Sequence, residues 1–245
     1  KNGNKMKPIN IKYTLGIMYL VVLAVVLYFV FNVIDIGDFT DYTFIKENRD
    51  LIINYKNNNF NFLVVVFFIC TILWIFFLGF GLPPALLAGF LFGKWLGTII
   101  LISAFSIGAS ILYIVVRIFF SSFIKKQIEP KISKFIIFFR RNDLLYFTCF
   151  RLLGGGGIPF PIQNVIPVIF NMSLPNYFKA TFIGIIPSSF ITVALGSGIE
   201  KIIEENLQLS ISLIIFSPEI YLPLLGFVAI LLFLFFLKDK IFKGN

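Results

Sequence analysis

Apolar residues run through this chain in long blocks, and the short polar stretches between them carry most of its charge. The first block, residues 15–33, has no charged residue; its 19 positions at 1.5 Å rise reach about 28 Å, enough to cross the hydrocarbon of a bilayer. Lys1, Lys5, Lys7 and Lys12 precede it. The block is long for the apolar core of a signal peptide, and Phe29, Phe31 and Asn32 make a poor cleavage site, so a retained span is expected. Residues 34–59 form a polar loop with an acidic excess (Asp35, Asp38, Asp41, Glu47, Asp50), closing on the turn-like run Asn57, Asn58, Asn59.

The second block, residues 60–92, is broken where Gly79, Gly81, Pro83 and Pro84 fall together, the signature of a helical hairpin or a broken helix. Gly93, Lys94 and Trp95 mark an interface, and residues 96–120 form a span rich in small residues that permit close helix approach. Tyr113 and Arg117, four apart near its end, share a face. Residues 121–143 alternate bulky apolar positions with Lys125, Lys126, Lys131, Lys134, Arg140 and Arg141, an interfacial amphipathic pattern interrupted at Pro130. A third broken block follows at 144–171, then a span at 177–195. A loop at 199–219 carries Glu200, Lys201, Glu204 and Glu205. A last span at 220–237 precedes the basic tail 238–245.

Basic loops mark the cytoplasmic side. Every loop obeys that rule if residues 60–92 and 144–171 each enter and return on one side, while residues 15–33, 96–120, 177–195 and 220–237 cross. The expected fold is an all-α polytopic membrane protein: an inverted repeat of two re-entrant helical hairpins, each followed by a transmembrane helix, with flanking N- and C-terminal transmembrane helices. Residues 1–14 and the tail then lie in the cytoplasm, and a bacterial cell (inner) membrane is the expected setting. Architectures of this kind place the substrate near the midplane.

Composition supports the membrane assignment. The chain is 58% hydrophobic and 13% charged with mean hydropathy +0.94, whereas soluble domains carry about 25% charge. It has no histidine, and its two cysteines, Cys70 and Cys149, sit among apolar neighbours. His/Cys metal sites and Ser/His or Cys/His catalysis are therefore not expected, nor is any cofactor or enzymatic activity. The net charge of +9 is read through loop positions and does not imply nucleic acid.

The stretch at 150–164, FRLLGGGGIPFPIQN, concentrates the candidate chemistry. A Gly/Pro run at membrane depth is tolerated only where buried in protein or facing a watery cavity, and an arginine there meets something specific. Arg151 is read either as a headgroup-phosphate ligand, its guanidinium matching phosphate bidentately, or as a structural arginine capping hairpin carbonyls. Gly155 and Gly156 lend free N–H groups to an anion or form a flexible tip. Asn164 satisfies freed carbonyls or touches substrate; Arg117, near the cytoplasmic mouth, either binds substrate together with Tyr113 or snorkels at the helix end. Gly81, Pro83, Pro84, Pro159 and Pro161 shape the hairpins, and Lys94 and Lys179 snorkel at interfaces.

Two runs of residues resemble the DedA superfamily, also called the VTT-domain or SNARE-associated Golgi protein family. The first comprises Gly81, Leu82 and Pro83, then AGFLFGKWLG at 88–97, then Gly108, Tyr113 and Arg117. The second comprises Phe150, Arg151 and Leu152, IPFPIQN at 158–164, then Tyr177, Ala180, Thr181, Gly184 and Pro187. Together they define an expected core domain at 60–198. The resemblance implies two facing re-entrant hairpins and movement of lipids across a bilayer, by polyprenyl-phosphate flipping or phospholipid scrambling. This chain departs from the family in carrying glycines where a proline is expected after the arginine, and Pro167 and Val168 where a small residue and glycine are expected. Neither hairpin has an Asp or Glu, which argues against the proton coupling proposed for branches with an acidic first hairpin.

The expected function is therefore that of an integral membrane lipid transporter or scramblase whose partner is an anionic membrane lipid. A membrane-organising scaffold and a small-solute secondary transporter are the alternatives, and a homo-oligomer is compatible with each.

Overall fold

The computed structural model describes residues 11–32, 48, 50–51, 54–122, 126, 139, 141–204, 221, 225–226, 228–229 and 232. Most of the loop expected at 34–59, the amphipathic segment at 121–143, the span at 220–237 and both chain ends lie outside the described residues. Among those described, all regular structure is helical: α1 (Ile11–Asn32), α2 (Phe60–Phe77), α3 (Leu82–Phe119), α4 (Asp143–Leu152), a 3-10 turn (Gly154–Gly157), α5 (Phe160–Ile169), α6 (Leu174–Gly184) and α7 (Ile186–Glu204). Of these, α2 and α3 are long and apolar enough to cross a membrane; Leu174–Gly184 and Ile186–Lys201 reach that length and hydropathy only when taken together, across a 45° bend.

The Gly/Pro breaks do what their chemistry predicts. α2 stops at Leu78, and α3 starts with Pro83 in its first turn, where the missing N–H would be unpaired in any case. The Trp74 indole N–H donates to the Phe80 carbonyl at 2.8 Å across the gap. The first part of α3 returns along α2, since Phe92 meets Phe60 and Phe67 with ring centroids 6.0 and 5.2 Å apart. At Gly93, φ 73° and ψ 174° kink α3, a conformation open essentially to glycine alone. The break before α3 lies beside the middle of the helix's longer part, with Gly81 packed on the Phe105 ring.

The second broken block divides into α4 and α5, 10 residues each, which at 1.5 Å rise extend about 15 Å, too short to cross a bilayer. Asn142 caps α4 by accepting the Leu145 N–H, and Ser173 caps α6 through the Asn176 N–H. Asn171, with φ 57°, turns the chain between α5 and α6.

Three expectations change. Residues 177–195 are not one straight span but parts of α6 and α7, which meet at Ile185; Pro187 has no N–H to continue the α6 hydrogen-bond ladder. α7 runs on through Glu200 and Lys201 to Glu204, into what reads from polarity as loop, because helical hydrogen bonding does not require apolar side chains. Asn57 and Asn58 are helical, and the chain bends only at Asn59.

The largest interface joins α3 to α7 and relies on glycine. A Cβ on Gly89 would lie 1.9 Å from the Val193 carbonyl oxygen, and one on Gly196 would lie 2.0 Å from that of Leu86. Residues 86–97 thus pack on 190–197, while Tyr113 packs on Tyr177, so the long part of α3 runs antiparallel to the α6–α7 pair. α2 packs on α3, α4 on α6, and α5 crosses to α3. Equivalent contacts recur 76 positions apart. Gly108 packs on the Ile72 carbonyl and the Ile75 Cβ, and Gly184 packs on the Thr148 carbonyl and the Arg151 Cβ. By that equivalence, Arg151 occupies the place that Ile75 holds in the first half.

Candidate functional site

Arg151 lies in the last turn of α4 and is 2% exposed. Its guanidinium is bonded by side chains of α5 and α6. Nη1 donates to Gln163 Oε1 at 3.0 Å, and Nη2 donates to Asn164 Oδ1 and, at 3.3 Å, to the Tyr177 hydroxyl. Tyr177 in turn donates to Asn164 Oδ1 at 3.1 Å. The guanidinium carbon Cζ lies over the Phe147 and Phe160 rings, 4.9 and 4.6 Å from their centroids, distances at which cation–π attraction operates. No carboxylate among the described residues bonds this cation.

The local sequence builds the cluster. Pro159 and Pro161 open α5 so that Gln163 and Asn164 fall within its first turns, facing back to Arg151. Gln163 is held by its own amide, donating to the carbonyls of Ile158 at 2.6 Å and Gly154 at 3.3 Å. Gly155, at φ 70°, presses against that amide; a Cβ there would lie 2.1 Å from Gln163 Cδ. Gly184 lets α6 approach α4, where a Cβ would lie 2.3 Å from that of Arg151. Pro167 leaves the Gln163 carbonyl without its helical N–H partner.

Two buried donors in this cluster, Arg151 Nε and Asn164 Nδ2, find no acceptor among the described residues. Gln163 has both amide hydrogens engaged, and Asn164 Oδ1 accepts twice. Among the described residues, the cluster is short of acceptor atoms and holds no negative charge. Groups of His, Cys, Asp and Glu able to hold a metal ion are absent among the described residues.

The sequence candidates divide into two sets. Arg151 and Asn164 touch directly, and Gly155 supports them through Gln163; Gly156 lies in the same 3-10 turn. Tyr113 and Arg117 form a second set, both donating to the Met172 carbonyl, Arg117 at 3.5 Å. Stacking of Tyr113 on Tyr177, centroids 4.6 Å apart, joins the sets. Gly81, Pro83 and Pro84 start α3, and Pro161 meets Gly79, so the two Gly/Pro breaks touch. Arg151 bonds the side chains of Gln163, Asn164 and Tyr177, and no hairpin carbonyl among the described residues accepts from it. Gln163, Tyr177, Phe147 and Phe160 escaped the sequence reading as site residues. The available signal was an adjacent Gln and Asn in an apolar helix, polar residues that need partners when buried.

Compared with known proteins, residues 81–198 match the VTT domain. The chain is similar to the Transmembrane protein 41 homolog of Caenorhabditis elegans, with 26% identity over 176 residues, covering 69% of this chain and 70% of that protein. No solved structure matches significantly.

Proposed function

Because this is a VTT-domain protein of the membrane, we propose that it moves lipids by giving an anionic headgroup, on a phospholipid or polyprenyl phosphate, a polar path between two re-entrant hairpins related as an inverted repeat. The observation that carries the reading is the buried Arg151 cluster, in which, among the described residues, no carboxylate meets the cation and two donors find no acceptor. An unpaired ion in a protein interior costs several kcal/mol, and a phosphate brings both the charge and the acceptor oxygens that are missing. The hairpin arrangement is supported by the short α4 and α5, by the antiparallel packing of α3 on α6–α7, and by the contact of Gly79 with Pro161. Inverted repeats of broken helices put their binding sites where such breaks meet.

With no Asp or Glu in residues 60–120 or 144–195, the transport runs down a gradient, and collapsing a proton gradient leaves it intact. A scaffold reading is favoured by one observation: both terminal nitrogens of Arg151 already have partners within the chain. Translocation of labelled anionic lipids in liposomes separates the two. Wild-type protein is expected to translocate them, and Arg151→Gln, at matched folding and incorporation, to fall to the protein-free rate. Equal rates for the two proteins, or none for either, would favour the scaffold.

A further inference from the structure

The two arginines of the site are separated by two tyrosine rings. Arg117 is exposed near the end of α3, with its Cζ 6.0 Å from the Tyr113 ring centroid. Arg151 is buried, with its Cζ 6.0 Å from the Tyr177 ring centroid. Tyr113 and Tyr177, each 0% exposed, stack between them at an interplanar angle of 18°. The two rings are anchored differently. The Tyr113 hydroxyl donates to the Met172 carbonyl, on the turn made by Asn171. The Tyr177 hydroxyl is held by the site itself, through Arg151 and Asn164.

From this arrangement we infer that the Tyr113–Tyr177 stack is a gate, through which a phosphate group passes from the exposed Arg117 to the buried Arg151. The inference rests on the headgroup reading above and adds the residues that control entry. A phosphate taking Nη2 of Arg151 displaces the Tyr177 hydroxyl from that nitrogen and leaves it only its bond to Asn164, so occupancy of the inner site loosens the inner ring. The outer ring stays latched to Met172 until that bond yields. With the rings stacked and Tyr113 latched to Met172, the gate is closed. Opening it requires loss of one buried hydrogen bond on the Tyr113 side.

The phosphate can belong to a lipid or be free in solution, and one vesicle experiment addresses both sources. Full-length protein is reconstituted into liposomes of phosphatidylcholine with labelled phosphatidylglycerol, loaded with radiolabelled inorganic phosphate. Movement of the labelled lipid without phosphate efflux identifies a lipid ligand; phosphate efflux without lipid movement identifies a free anion, and the gate applies to either. Tyr113→Phe keeps the ring and removes the latch. It is expected to raise the flux about fivefold, the shift that loss of one ordinary hydrogen bond gives a closed–open equilibrium. Tyr113→Ala is expected to raise it further and to admit labelled phosphatidylcholine, a loss of selectivity that mere destabilisation does not produce. Wild-type flux with an unchanged or lower flux in Tyr113→Phe, at an unaltered melting temperature, overturns the gate and leaves the headgroup reading standing. A wild type that moves neither probe overturns both.

Discussion

The two broken segments, 60–92 and 144–171, which read from sequence as hairpins, share a plan and differ in chemistry. Each has a first helix packed on a glycine of the following span, Gly108 on Ile72 and Ile75 in one, Gly184 on Thr148 and Arg151 in the other. Each second helix carries a proline in its first turn, and a left-handed residue, Gly93 or Asn171, then turns the chain. The second helix of the first hairpin, residues 82–92, has no polar side chain; that of the second presents Gln163 and Asn164. Shared architecture thus accounts for shape, while the polar cluster belongs to one half alone. Packing that is equivalent around Ile75 and Arg151 does not need a charge at that position, so the arginine calls for an explanation beyond the fold.

Making the second hairpin like the first tests this most severely. Arg151→Ile is expected to abolish lipid translocation and to leave Gln163 Oε1 short of its donor, at about 1–3 kcal/mol, while Asn164 Oδ1 keeps only the Tyr177 hydroxyl. Adding Gln163→Leu and Asn164→Leu removes those oxygens, so the triple variant should regain much of the lost thermal stability in nanodiscs while remaining inactive. A triple variant that translocates would show the polar cluster to be dispensable.

The matched glycines give a smaller contrast. Gly184→Ala and Gly108→Ala both overpack a tight contact, at about 1–3 kcal/mol. Only Gly184→Ala displaces Arg151, so translocation per folded molecule should drop in that variant and hold in Gly108→Ala. The turn residues give the smallest. A Cβ on Gly93 meets nothing within 4 Å, so Gly93→Ala carries only backbone strain, about 1–3 kcal/mol. Asn171→Gly, already at positive φ, should change the melting temperature little or raise it slightly.

How far these features can be read from sequence depends on how local their causes are. The breaks at Gly79 to Pro84 and Gly154 to Pro161 announce themselves, because glycine and proline act on their own backbone. Arg151 stands out as a charge in an apolar stretch. Its partners do not, since Gln163 and Asn164 are 12 and 13 positions away and face it only once α4 and α5 are aligned. The Tyr113–Tyr177 stack joins residues 64 positions apart, which no local pattern reveals. The end of α7 was misplaced because a hydropathy boundary marks where a membrane ends, not where a helix does.

The glycine contact between α3 and α7 has a consequence in time. Val193 follows Gly89 by 104 positions, and a ribosome adding about 5–20 residues per second needs on the order of 5–20 s to produce it. Throughout that interval the bare backbone groove around Gly89 faces lipid or the insertion machinery instead of its partner. The contact forms only once α7 has been made. Among the seven numbered helices, the last to be synthesised is the one that closes the largest interface.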